Sequence, residues 1–241
     1  MTPIVVCSFW VSRPREFPKA APYLEMCRIL DATCRRFGFE HVVLTDNLTA
    51  PQVCAAGLKA FAVELPRSLM KAATEIHARW LASPHSLGVD TIFTGADCIV
   101  RRDFRADLPD GCDVAIAYMK GHKKWRLNNG FVYVPAGSRE KVAPLFRLVA
   151  DDTGERICDD MLALERALVP MPADFGQYER RALAVEFLPL RVWNRYMATK
   201  KGALEDEALD ANMLHFMGGW DDGKKLLFDW ARRWMPSCLP S

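Results

Sequence analysis

The chain has 241 residues, 50% of them hydrophobic and 26% charged, with 32 basic against 30 acidic side chains. That length suits one large domain, and the near-neutral balance excludes a chain that is basic throughout or a disordered acidic one. No apolar run approaches the roughly 18 residues of a membrane-spanning helix, so no transmembrane segment is expected.

Met1-Thr2-Pro3-Ile4-Val5-Val6-Cys7 has no basic region before its apolar stretch and reads as a first strand, not as a signal peptide. The eight cysteines form no Cys-x-x-Cys pair, and several lie inside apolar runs. Buried, reduced thiols in a cytoplasmic protein are the expectation, ahead of a disulfide framework or a zinc site.

Ile4 to Trp10 is an apolar run ended by a loop holding Pro14 and Pro18. Met26, Ile29, Leu30, Thr33, Cys34 and Phe37 then recur at helical spacing, with Gly38 where a helix C-terminus favours it. His41–Thr45 is a second strand, stopped by Asp46-Asn47. Leu69, Met70, Ala73, Ile76, Trp80 and Leu81 mark a helix over 68–82, and Thr91–Thr94 is a third strand ending at Gly95-Ala96-Asp97. Strand, helix, strand, helix, strand predicts an α/β fold with a mixed, mainly parallel sheet and helices on both faces. Ligands bind beyond the carboxyl ends of such strands, which is where Asp46 and Asp97 sit.

The second half is less regular. Asp113–Met119 and Phe131–Val134 are strands flanking a basic loop, and helices are expected over 138–150 and from Asp159 to Pro170. Val185–Leu188 is a short strand, and Leu226, Leu227, Trp230 and Trp234 give a docking helix at the C-terminus. No linker is long or polar enough to separate domains, so residues 1–241 form one domain.

Asp97 follows a buried strand on a tight turn, a position suited to a divalent cation that neutralises a diphosphate. Downstream stand Asn128-Asn129-Gly130-Phe131, Cys158-Asp159-Asp160-Met161, Leu188-Pro189-Leu190-Arg191-Val192-Trp193-Asn194 and His215-Phe216-Met217-Gly218, with Lys224 close behind. In this order the motifs resemble those of the GT-A glycosyltransferases, nucleotide-sugar-dependent enzymes with a Rossmann-like sheet. The resemblance runs from Ile4 to Lys224 and is closest to the retaining, glycogenin-like and bacterial galactosyltransferase-like members.

The resemblance implies a role for each matching residue. Asp97 and His215 match metal ligands, and Mn²⁺ or Mg²⁺ between them would stabilise the leaving nucleoside diphosphate. Ser8, Trp10, Asp46, Lys71 and Ala96 are expected near the nucleotide, and Gly218 and Lys224 near its diphosphate. Asn129 and Gly130 would line the donor sugar, where glycine lets a ligand approach the backbone. Asp159 or Asp160 would lie near the sugar and acceptor. The chain departs from the pattern twice. Gly95 replaces the first aspartate of the Asp-Ala-Asp motif, and Lys224 lies six residues beyond Gly218, where about three are usual, with Asp221 in the expected place.

Each residue also has a purely structural reading. Asp97 could cap its turn, and His215 could be a satisfied core histidine. Asp159 and Asp160 would serve a helix as N-cap and dipole partners. Asn129-Gly130 is a strong turn dipeptide. Lys71 could be solvated on a polar helix face, and Trp193 is expected in the core.

The stretches 114–139 and 187–204 contain no acidic residue. The first holds Lys120, Lys123, Lys124, Arg126 and Arg139; the second holds Arg191, Arg195, Lys200 and Lys201. They would complement the donor's diphosphate or an anionic acceptor, with Lys123, Lys124 and Trp125 as acceptor contacts. The acceptor would be a glycan, a lipid-linked sugar or a nucleic acid. The expected activity is metal-assisted transfer of a sugar from a nucleotide-diphosphate donor to an acceptor hydroxyl. The alternatives are a DNA-modifying glycosyltransferase of the same fold, a non-catalytic nucleotide- or sugar-binding module, and, last, a nucleotidyltransferase.

Overall fold

Residues with side-chain period two build the centre of the protein. In the computed structural model, which describes residues 2–12, 22–122, 126–156, 158–197, 210–216, 225–234 and 236, strand β1 (Ile4–Phe9) sends Ile4 and Val6 into one hydrophobic cluster and Val5 and Cys7 into another. A strand buried on both faces reads as a continuous apolar run, as Ile4–Cys7 does.

The chain then follows helix α1 (Tyr23–Arg36), β2 (Glu40–Asp46), α2 (Ala50–Ala55), β3 (Ala60–Val63), α3 (Leu69–Ala82), β4 (Asp90–Gly95), β5 (Cys98–Val100), β6 (Val114–Tyr118) and β7 (Leu127–Val134). It continues through α4 (Arg139–Asp152), α5 (Asp159–Leu168), β8 (Gly176–Arg180), β9 (Leu183–Pro189), α6 (Leu190–Trp193), β10 (Arg195–Tyr196), β11 (Met213–His215) and α7 (Lys225–Trp234). Eight strands form one sheet in the order β3-β2-β1-β4-β7-β6-β9-β8. Pairs β2–β3, β1–β2, β1–β4 and β6–β9 are parallel; β4–β7, β6–β7 and β8–β9 are antiparallel.

Helices cover both faces. α3, α4 and α5 bury Ile76, Leu81, Leu145, Phe146 and Leu164 against one side; α1 buries Leu30 and Cys34 against the other, together with Phe104 and Trp193. Each such large side chain contributes about 1.5–3 kcal/mol on full burial. α7 docks Leu227, Trp230 and Ala231 against Met26 and Ile29 of α1 and against Leu214.

Three elements depart from the sequence expectation. β3, half-exposed along its whole length, has no alternation to reveal it. β7 begins at Leu127 rather than Phe131, so Asn129-Gly130 lies inside a strand and not in a turn. The β8–β9 hairpin turns at Arg181 and Ala182, both with positive φ (52° and 59°), without the glycine or asparagine that normally marks such a turn.

Among the described residues seven cysteines are free. Burial raises the Cys7 and Cys34 thiols and pushes Cys27 up to about 12, which leaves them protonated and unreactive.

Candidate functional site

Strand order reverses beside β1, since β2 and β3 continue to one side and β4 returns to the other. The crevice at the carboxyl ends of β1 and β4 is the place where open α/β sheets bind ligands. Asp97 stands there, on the turn between β4 and β5. His215 reaches it through a second, three-stranded sheet, β10-β11-β5, in which His215 pairs with Cys98 and the Phe216 N–H donates to the Asp97 carbonyl at 2.9 Å. His215 Nε2 consequently lies 3.3 Å from Asp97 Oδ1, with the two side chains 12% and 14% exposed. They are screened but reachable.

Behind the histidine is a line of buried amides. Asn194 Nδ2 lies 3.2 Å from His215 Nδ1 and donates to Asn128 Oδ1 at 2.5 Å. Asn128 Oδ1 also accepts from the Gly130 N–H at 2.7 Å, and Asn128 Nδ2 donates to the Tyr196 hydroxyl. A Cβ on Gly130 would come within 2.3 Å of Asn194 Nδ2, 2.6 Å of Asn128 Oδ1 and 2.8 Å of His215 Nδ1. The close approach that Gly130 permits is therefore to this amide line. The next residue, Asn129, donates from Nδ2 to Asp160 Oδ2 at 2.9 Å. Its Oδ1 is buried and has no hydrogen-bond partner among the described residues. Burial holds the Asp160 carboxyl above the ordinary carboxylate range, although bonds from Asn129 and from backbone N–H groups oppose the shift.

The remaining candidates divide. Trp10 and Ala96 share one small hydrophobic cluster beside the crevice. Lys71 lies in the first turn of α3. Asp46 Oδ1 accepts from the Thr49 N–H at 2.8 Å, a local turn at the start of α2. Asp159 Oδ2 accepts from the Arg156 N–H at 2.8 Å and closes its own turn, as an N-terminal acid does. Ser8 is fully buried, with Oγ 2.9 Å from His41 Nε2. Trp193 is in the core, as expected. Gly218, Lys224, Lys123, Lys124 and Trp125 lie outside the described residues. The residues that sequence reasoning missed are Asn128, Asn194 and Tyr196. Asn128 and Asn194 stand inside the quoted motifs but were given no role there; a buried amide requires partners, and those partners are distant in the chain.

The basic loop changes character in three dimensions. Lys120 is 3.0 Å from Asp174, Arg126 bonds Glu165 at 3.3 Å, and Arg139 bonds Glu140 at 2.9 Å. Acids distant in sequence thus pair with Lys120 and Arg126, and the neighbouring Glu140 with Arg139.

The donor atoms of Asp97, Cys98 and His215 lie within 4.8 Å of one another. Mn²⁺ and Mg²⁺ take mainly oxygen ligands, and this set offers one carboxylate beside a thiol and an imidazole. Gly95 adds none: a Cβ there would come within 2.5 Å of Asp97 Oδ1 and 3.7 Å of His215 Nε2, so the position faces the cluster but is bare. Among the described residues this set supplies too few oxygen ligands for a hard cation; Asp221 and Asp222 lie outside them.

No family model and no curated protein matches the chain. Among solved structures 201 chains match. One is a glycosyltransferase involved in the glycosylation of the major capsid of PBCV-1, similar with a TM-score of 0.59 at 11% identity over 94% of this chain and 99% of that one. At that identity the likeness is one of fold. The fold is GT-A-like, a Rossmann-like mixed sheet with helices on both faces.

Proposed function

We propose that the protein is a glycosyltransferase that moves a sugar from a nucleotide-diphosphate donor to an acceptor hydroxyl. The observation that carries this reading is the convergence of two polar sets on the carboxyl-end crevice: Asp97 with His215, and Asn129 with Asp160. The nucleotide lies toward Trp10 and Ala96, the diphosphate toward His215 and Lys71, and the sugar toward Asn129 and Asp160. Asn129 holds the Asp160 carboxyl in place through its Nδ2. The departing phosphate takes the acceptor proton, and Asp160 positions the sugar or acceptor by hydrogen bonding.

A thermal-shift screen of nucleotide sugars, followed by measurement of freed nucleoside diphosphate, tests the proposal. A donor at ~100 times its Kd stabilises the folded chain by about 2.7 kcal/mol, a rise of several degrees in Tm at about 2–4 °C per kcal/mol. If no nucleotide sugar stabilises the protein and none is consumed, the proposal fails. Tight, salt-sensitive binding of DNA alongside turnover would identify the acceptor as nucleic acid.

A further inference from the structure

We infer that His215 serves this site as a neutral hydrogen-bond donor and not as a cation ligand, because a chain of amides fixed at a backbone N–H sets its tautomer. The assignment starts at Gly130, whose N–H can only donate. The atom 2.7 Å from it must accept, so it is Asn128 Oδ1 and not Nδ2. Asn128 Oδ1 is also 2.5 Å from an amide atom of Asn194, which must then be the donor Nδ2. The same Nδ2 stands 3.2 Å from His215 Nδ1. A donor faces Nδ1, so Nδ1 carries the lone pair and the proton of the neutral ring resides on Nε2.

Nε2 is the atom aimed at Asp97 Oδ1, 3.3 Å away. A cation ligand needs the reverse, a lone pair on Nε2 and a proton on Nδ1 with an acceptor behind it. Reaching that state means turning Asn194, which brings its oxygen against Asn128 Oδ1. Asn128 must then turn as well, leaving the buried Gly130 N–H facing an NH₂ group. Leaving a buried polar group unsatisfied is strongly disfavoured, so the line acts as one unit. Gly130 is the base on which it rests, since any side chain there would occupy its space.

This inference rests on the glycosyltransferase reading only for what the Asp97 carboxylate, steadied by that N–H, addresses, a hydroxyl of the donor. Asn194 is a positioning residue. Donor binding then proceeds without a divalent cation, the reverse of the expectation from the sequence resemblance.

The test is a long-range ¹H–¹⁵N spectrum of the full chain labelled with ¹⁵N-histidine, with His215→Gln identifying the His215 signals. The expected spectrum has a protonated, pyrrole-type Nε2 and a pyridine-type Nδ1, both unmoved by Mg²⁺ alone. A pyridine-type Nε2, or an Nε2 signal displaced by Mg²⁺, overturns the inference. Asn194→Ala removes the donor behind the ring and should give an averaged pair of tautomers; an unchanged tautomer would deny Asn194 its role. The wild-type spectrum needs no variant, so a poorly folding Asn194→Ala leaves the test intact. Affinity for the nucleoside diphosphate chosen by the screen should change less than ~2-fold, about 0.4 kcal/mol, on adding EDTA. A loss of binding with EDTA overturns cation independence. A protein that consumes no nucleotide sugar yet shows the Nε2–H tautomer fails the functional proposal alone.

Discussion

Two aspartate–histidine pairs stand in this molecule at nearly equal separations, Asp31–His41 at 3.6 Å and Asp97–His215 at 3.3 Å. The first continues from His41 Nε2 to Ser8 Oγ at 2.9 Å, the Ser–His–Asp order of a nucleophilic triad. Its histidine side chain is 0% exposed and its serine is equally buried, so no substrate carbonyl can approach. Asp31 is also bridged to Arg35 at 2.8 Å. The Ser8–His41 bond ties β1 to β2, and Asp31 of α1 packs behind the ring without a hydrogen bond to Nδ1. The second pair lies at the strand ends where the sheet opens, with both side chains partly reachable. Pair geometry does not separate a structural constellation from a functional one. Access, and the group filling the other ring nitrogen, do.

Replacing one member of each pair should separate them most sharply. Asp97→Ala should lower turnover by ~10²–10³-fold, the scale for removing one pre-positioned polar contact, with little change in urea unfolding. His41→Leu should do the opposite: a loss of ~2 kcal/mol, as the buried Ser8 hydroxyl loses its partner, with kcat per folded molecule unchanged. A folded His41→Leu protein without activity would move function to the inner pair.

The amide line offers a second contrast, between two glycines. Gly130→Ala must displace Asn194, Asn128 or His215, and overpacking of this kind costs ~1–3 kcal/mol. Turnover should fall with it. Gly137→Ala meets nothing within 4 Å at an unstrained φ, and should be neutral or slightly stabilising. Equal unfolding midpoints for the two variants would mean that the space above Gly130 can be vacated cheaply.

The outer pair was easier to find in the sequence than the line behind it. Asp97 announced itself by its position after a buried strand, and the early alternation of strand and helix placed that strand end in a binding crevice. His215 needed the motif order, because β11 is only three residues long and pairs with β5 across nearly half of the chain. Asn128 and Asn194 were invisible as a unit, since no local pattern says which buried amide another will find. The Asn129-Gly130 dipeptide offered two readings, strand and turn, for a related reason. Its turn propensity is local, whereas the bond from Thr94 Oγ1 to the Gly130 carbonyl at 2.8 Å and the pairing of β7 with β4 are tertiary and override it. Charge behaved likewise, for Lys120 and Arg126 pair with Asp174 and Glu165, which are distant in sequence.

Asp160 gives the smallest effect and the clearest sign. Unlike Asp31 and Asp97, it has no cationic or histidine partner among the described residues, and burial raises its carboxyl above the ordinary value of 3.8. A carboxyl with a raised folded-state pKa binds its proton more tightly when folded. Its protonated form therefore stabilises the fold below the unfolded value, and that contribution is lost as pH rises through the raised one. Asparagine mimics the protonated side chain and keeps an oxygen for Asn129 Nδ2. Asp160→Asn should then melt higher than wild type at pH 7, by a margin that shrinks as pH falls through the raised value and levels off below about 3.8. Turnover should fall in the same variant, because the positioning carboxylate is gone. Paired melting curves from pH 7 to pH 3 decide the point. A wild type that is the more stable at pH 7 would reveal a partner for the Asp160 carboxylate, which would make it a third paired acid rather than a buried carboxylate poised for a sugar.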